Sequence, residues 1–132
     1  MKTIYSNLVL SAGKPVHMFK KEGKRTWECN RWNVTVKNGD SGKSSRFTYY
    51  TGSAHKGLVN DREMRVALHC FLSDAQSGLW SFEDFCGEFG YDYDSREAYK
   101  TWVACKRAGE KLASLGIDVD ELAEKMEEEE EF

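Results

Sequence analysis

The sequence predicts an α+β fold: a small antiparallel β-sheet in the N-terminal half packed against three to four helices in the C-terminal half. Two observations carry this expectation. Apolar residues up to about residue 57 alternate with polar ones at the period of a strand, and beyond it they recur every three or four residues, as on a helix. The charge changes over at the same place. Residues 1–57 hold 11 lysines and arginines against three carboxylates, a net +8, and residues 58–132 hold eight against 19, a net −11. The whole chain, 132 residues long, balances at −3.

Taken in order, Thr3–Leu10 reads as a strand, and Ser11-Ala12-Gly13-Lys14-Pro15 as a turn around the only proline. Lys20, Lys21, Lys24 and Arg25 fall in the loop that follows, and a strand is expected near Thr26–Cys29. Trp32, Val34 and Val36 alternate with Asn33, Thr35 and Lys37, the pattern of a half-buried strand. The Asn38–Lys43 stretch, rich in Gly, Asp and Ser, is a turn, and Arg46–Thr51 returns as the second arm of a hairpin. Phe47 and Tyr49 then share one face, leaving Arg46, Thr48 and Tyr50 on the other. A glycine-marked loop runs to Gly57.

The helices carry their own start and stop signals. Asn60 or Asp61 caps the first, whose stripe is Met64, Ala67, Leu68, Phe71 and Leu72, and Ser77-Gly78 ends it. Ser81 with Asp84 opens a short second helix with an apolar face of Phe82, Phe85, Cys86 and Phe89, stopped by Gly90. Asp94 with Glu97 opens the third, along which Ala98, Trp102, Cys105, Gly109 and Leu112 repeat, and Gly116 ends it. Asp118 caps the last, with Glu121 completing the box and Ile117 placed to staple against Leu122. A single domain over 1–132 is expected, made of a basic β-rich part (1–57), an acidic helical part (58–126) and a frayed acidic tail (127–132).

Composition bounds the function. An apolar share of 40% and an aromatic share of 13% suffice for a core. No apolar run approaches the ~20 residues that cross a bilayer, so no membrane partner is expected. The stretch Met1–Asn7 lacks the apolar block of a signal peptide, which points to the cytoplasm. Cys29, Cys70, Cys86 and Cys105 are scattered without a C-x-x-C pair, and the last three sit at apolar helical positions, where a free thiol acts as a small hydrophobe.

No catalytic, metal or cofactor residues emerge. His69 lies in an apolar helical run, and His17 and His55 sit in or near loops without a nucleophile nearby in sequence. Asp92-Tyr93-Asp94 starts like a calcium loop, but Arg96, Glu97 and Val103 stand where the third oxygen ligand, the glycine and the terminal glutamate belong. Gly39 and Gly42 lack the phosphate-loop pattern and a following helix.

Two surfaces remain. The basic half offers Lys20, Lys21, Lys24, Arg25, Arg31, Lys37, Lys43, Arg46 and Tyr50 as candidates for tracking phosphates and stacking bases. The same residues also suit a solvated surface, or one packed against the acidic helices of the chain itself. The acidic half offers Asp118, Asp120, Glu121, Glu124, Glu127 and Glu128, a carboxylate series able to imitate phosphates towards a basic groove or simply to keep a terminus solvated.

The stretch Val66 to Cys105 contains Leu72-Ser73-Asp74-Ala75, Phe82-Glu83-Asp84-Phe85-Cys86, Glu88-Phe89-Gly90-Tyr91-Asp92, Asp94-Ser95-Arg96 and Ala104-Cys105. These blocks resemble a family of small proteins of bacteriophages and prophages without an established activity, and Tyr49-Tyr50-Thr51-Gly52 adds a fainter likeness. The resemblance implies an accessory protein that binds a host protein or nucleoprotein complex, including the inhibition of antiviral defence in the manner of an anti-CRISPR protein. The other expectation is a nucleic-acid-binding module built on the basic aromatic hairpin.

Overall fold

The computed structural model describes residues 2–129 and has the expected α+β class, with an antiparallel sheet of five strands preceding four helices among those residues. The chain divides into two compact units, residues 1–68 and 69–132. No helix among the described residues is long and apolar enough to cross a membrane.

The first unit holds β1 (Lys2–Tyr5), β2 (Leu8–Ala12), β3 (Val16–Glu22), β4 (Arg25–Asn38) and β5 (Ser44–Gly52), followed by the first turns of α1 (Asp61–Gly78). β4 is the spine. β5 pairs with it from Lys37 to Cys29 along one edge, and the other edge is shared by β2, opposite Val34–Asn38, and β3, opposite Arg25–Arg31. Between those two partners the chain steps aside at Gly13-Lys14-Pro15, where proline has no N–H to give a ladder.

Two sequence expectations are corrected here. Thr3–Leu10 is a hairpin rather than one strand, because Ser6 adopts φ 54 and turns the chain between β1 and β2. A non-glycine residue rarely takes that conformation, and neighbouring contacts hold it. Asn7 donates from Nδ2 to Asn38 Oδ1 (3.3 Å) and Asp40 Oδ2 (3.2 Å), and its carbonyl accepts from Gly39 N (2.7 Å), so this turn is tied to the β4–β5 turn. Secondly, Lys20 and Lys21 lie in strand β3, and Lys24 and Arg25 lie at a tight turn into β4, not in an irregular loop. His17 is likewise a strand residue, with Nε2 2.6 Å from Glu28 Oε1.

One sheet face is the core face of this unit. Tyr5, Leu8, Leu10, Ala12, Trp32, Val34, Val36 and Phe47 are buried, as are Leu58, Met64, Ala67 and Leu68. Trp32 fixes the loop after β5: its Nε1 donates to Thr51 Oγ1 (2.9 Å), and its ring lies so near Gly57 (φ +77) that a Cβ there would come within 2.2 Å of it.

The second unit contains the rest of α1, α2 (Phe82–Phe89), α3 (Arg96–Ser114) and α4 (Val119–Glu129). The caps are where helix rules put them. Asn60, Ser81 and Asp118 side chains accept from the backbone N–H three residues on, at 2.9, 3.1 and 3.2 Å. For α3 the cap is Ser95 rather than Asp94, its Oγ accepting from Ala98 N (3.2 Å). Gly90 takes the left-handed stop at φ 72, and its N–H is given to the Cys86 carbonyl. Phe89, expected on an apolar face, is exposed. α1 and α3 approach closely at small residues: a Cβ on Gly78 would stand 2.4 Å from the Cys105 carbonyl, and one on Gly109 3.2 Å from that of Ala75. The acidic tail expected beyond 126 is helical through Glu129, and residues 130–132 lie outside the described part.

Candidate nucleic-acid interface

In an antiparallel pair, directly opposed residues point to the same face. The register therefore decides which of the candidate residues share a surface. Along β4 the residues facing away from the core side are Arg25, Trp27, Cys29, Arg31, Asn33, Thr35 and Lys37. β5 sets Tyr50 beside Arg31, Thr48 beside Asn33 and Arg46 beside Thr35. β3 sets Met18 beside Cys29, Lys20 beside Trp27 and Glu22 beside Arg25. This outer face brings together Lys20, Arg25, Arg31, Lys37, Arg46 and Tyr50 of the basic candidates. Lys21 points to the opposite face with His17 and Phe19, and Lys24 and Lys43 occupy turns.

Sequence reasoning misses the aromatic centre of the face. By sequence alone Trp27 belongs to a short strand without a partner, and only the pairing of Trp27 with Lys20 shows where it lies. Lys20 crosses the spine to bring Nζ 4.0 Å from the centre of the Tyr50 ring, a cation–π contact, and stays 3.4 Å from Glu22 Oε1. Cys29 is the same-face residue between Trp27 and Arg31. It is fully buried, and its same-face neighbours Met18, Trp27, Arg31 and Tyr50 are partly buried.

The electrostatics are one-sided. Arg46, Lys37 and Arg25 are exposed, Arg31 is half-buried, and Glu22 is the single carboxylate on the face of β3, β4 and β5. Two donors, Trp27 Nε1 and Arg31 Nε, are buried without a hydrogen-bond partner among the described residues. An unmade hydrogen bond at a buried donor costs about 1–3 kcal/mol, so each is a local cost to the fold.

The acidic candidates stand on α4 and its cap. Val119, Leu122, Ala123 and Met126 are buried, whereas Asp120, Glu121, Glu124, Glu127 and Glu128 are exposed. Two of the series have structural duties: Asp118 caps the helix, and Asp120 Oδ1 accepts from Gln76 Nε2 (3.2 Å).

All four cysteines are free thiols. Burial, and then the Asp74 carboxylate, push Cys105 up to about 11, and burial with the Asp92 charge raises Cys86. Both thiols are held in the neutral, unreactive form at neutral pH. Among the described residues no group of three or more His, Cys, Asp or Glu side chains is arranged to hold a metal ion. No protein-family model, curated protein or solved structure matches the chain.

Proposed function

We propose that this protein binds single-stranded nucleic acid on the outer face of β3, β4 and β5. The observation that carries the reading is the strand register, which places Trp27 and Tyr50 among Lys20, Arg31, Lys37 and Arg46 on one surface. Cations on such a surface neutralise phosphates, and rings offer stacking worth about 1–3 kcal/mol per base. A duplex keeps its bases stacked inside and cannot use the rings, which favours a single strand. From Trp27 to Lys37 the spine extends at most about 34 Å, suited to the lower part of the range of about 4–16 nucleotides for such grooves. In the accessory role that the bacteriophage resemblance implies, the face engages the nucleic-acid component of a host nucleoprotein complex.

Fluorescence anisotropy with labelled single-stranded DNA, RNA and duplex DNA across a salt series tests this. The single strands should bind more tightly than the duplex. The triple variant Arg31→Glu, Lys37→Glu, Arg46→Glu should abolish binding, and the corresponding alanine variant should flatten the salt slope by about 2, at about 0.7 for each phosphate no longer neutralised. Absence of binding even at low salt, or equal binding by the reversed variant, removes the reading.

A further inference from the structure

The second unit carries a feature that the outer sheet face does not use. The segment from Leu79 to Tyr99 leaves five large apolar side chains exposed, including Tyr93 (65%) and Tyr99 (53%). Beside them lies a cleft of about 520 Å³ lined by Trp80, Tyr93, Glu83, Asp84, Glu88 and Gly87. Its aromatic wall is held in place. The Trp80 carbonyl accepts from Trp102 Nε1 (3.0 Å), and the Trp80 ring leans on Phe89 with centroids 6.0 Å apart. Its acidic wall is one face of α2, oriented by the Ser81 cap.

Two facts point to a cationic occupant. Glu83, Asp84 and Glu88 make no ion pair among the described residues, so their charge is not spent within the fold. Trp and Tyr faces attract cations through the ring quadrupole, and Trp80 and Tyr93 line the same cleft as the three carboxylates. Gly87 lines the same cleft. It sits in the middle of an eight-residue helix, where glycine costs stability, yet a Cβ there would meet nothing within 4 Å. Packing does not require a glycine at this position, and a side chain added there would project into the open cleft.

We infer that this cleft receives an arginine side chain from a basic peptide segment of a partner protein. Guanidinium suits it better than ammonium, because its plane lies flat on an indole or phenol ring while its edge donates to a carboxylate in a fork. The cleft exceeds one side chain in volume, leaving room for the flanking backbone.

The probe is a dye-labelled Gly-Arg-Gly-Arg-Gly peptide, with its citrulline counterpart as the neutral isostere, titrated into the full chain by fluorescence anisotropy. The arginine peptide should bind and the citrulline peptide should not. Gly87→Leu, which fills the floor where nothing else packs, should weaken binding by about tenfold or more, as should Glu83→Gln with Glu88→Gln. The pair Glu97→Gln and Glu110→Gln removes the same charge from α3 and should change affinity by less than about twofold. An equal loss in that pair would make the attraction diffuse and overturn the cleft. Unchanged binding in a folded Gly87→Leu protein, checked by circular dichroism, would do the same. Self-association of the chain that Gly87→Leu abolishes would make a second copy the occupant and overturn the partner peptide.

Discussion

Lys20 shows how far one side chain can do two jobs. Its ammonium rests on the Tyr50 ring and near Glu22, and its methylene stem runs from β3 towards β5 on the face that carries the buried Cys29. The stem is placed to shield the thiol, and removing it leaves the backbone ladder untouched. Lys20→Ala should therefore make Cys29 react with N-ethylmaleimide many times faster at pH 8, read residue by residue in the intact protein by mass spectrometry. Cys105 is the internal control: with its thiol at about 11, it should stay slow in both proteins. An unchanged Cys29 rate would mean that Trp27 and Arg31 alone close the site. The same contact bears on ligand binding, since a base stacking on the Lys20 side of the Tyr50 ring would displace the ammonium and free it for a phosphate.

At the scale of elements, the helices were legible in the sequence because their signals are local. Ser81 and Asp118 cap as their spacing says, and the stripe Met64, Ala67, Leu68, Phe71, Leu72 is buried throughout. The sheet was legible only in part. Trp32, Val34 and Val36 announced the spine, but β3 hides because His17, Phe19 and Lys21 alternate with Met18 and Lys20 rather than with a clean apolar set. The β1–β2 turn hides because it uses Ser6 at positive φ instead of a glycine. What no local pattern contains is register, and register alone assembles the outer face: Tyr50 and Arg46 were legible as neighbours in sequence, but Trp27 and Lys20 were not. The α1–α3 approach is equally non-local. Gly78 looks like a helix stop, yet its absent side chain lets the helices close to where a Cβ would stand 2.4 Å from the Cys105 carbonyl. Gly78→Ala gains helix propensity in α1 and sacrifices this approach. The second effect wins, because backbone cannot swing aside as a side chain can, and overpacking of this kind costs about 1–3 kcal/mol or more against a propensity gain of about 1 kcal/mol. Urea denaturation should show the variant destabilised; a stabilised variant would mean that the helices separate freely.

For the whole molecule, net charge is the wrong guide to behaviour. A pI of about 5.7 and a net −3 describe an anion that ought to ignore a phosphate surface. The charge is not mixed, however. Residues 1–68 hold 13 basic residues against five carboxylates, and residues 69–132 hold six against 17. At physiological salt a fixed phosphate responds to charges within about 8–10 Å, so one laid on the outer face of the sheet responds to the cations of that face more than to the distant sum. At pH 7 the protein should therefore be retained on phosphocellulose at about 50 mM salt and released by about 200 mM, and it should also be retained on an anion exchanger. The variant Arg31→Glu, Lys37→Glu, Arg46→Glu should pass through phosphocellulose and hold more tightly to the anion exchanger. Flow-through of the unaltered protein would mean that carboxylates of its own chain neutralise the basic face, and the nucleic-acid reading would fall with it. Retention that vanishes in the triple variant would place the attraction on the outer face, because Lys21, Lys24 and Lys43 remain in that variant and lie off that face.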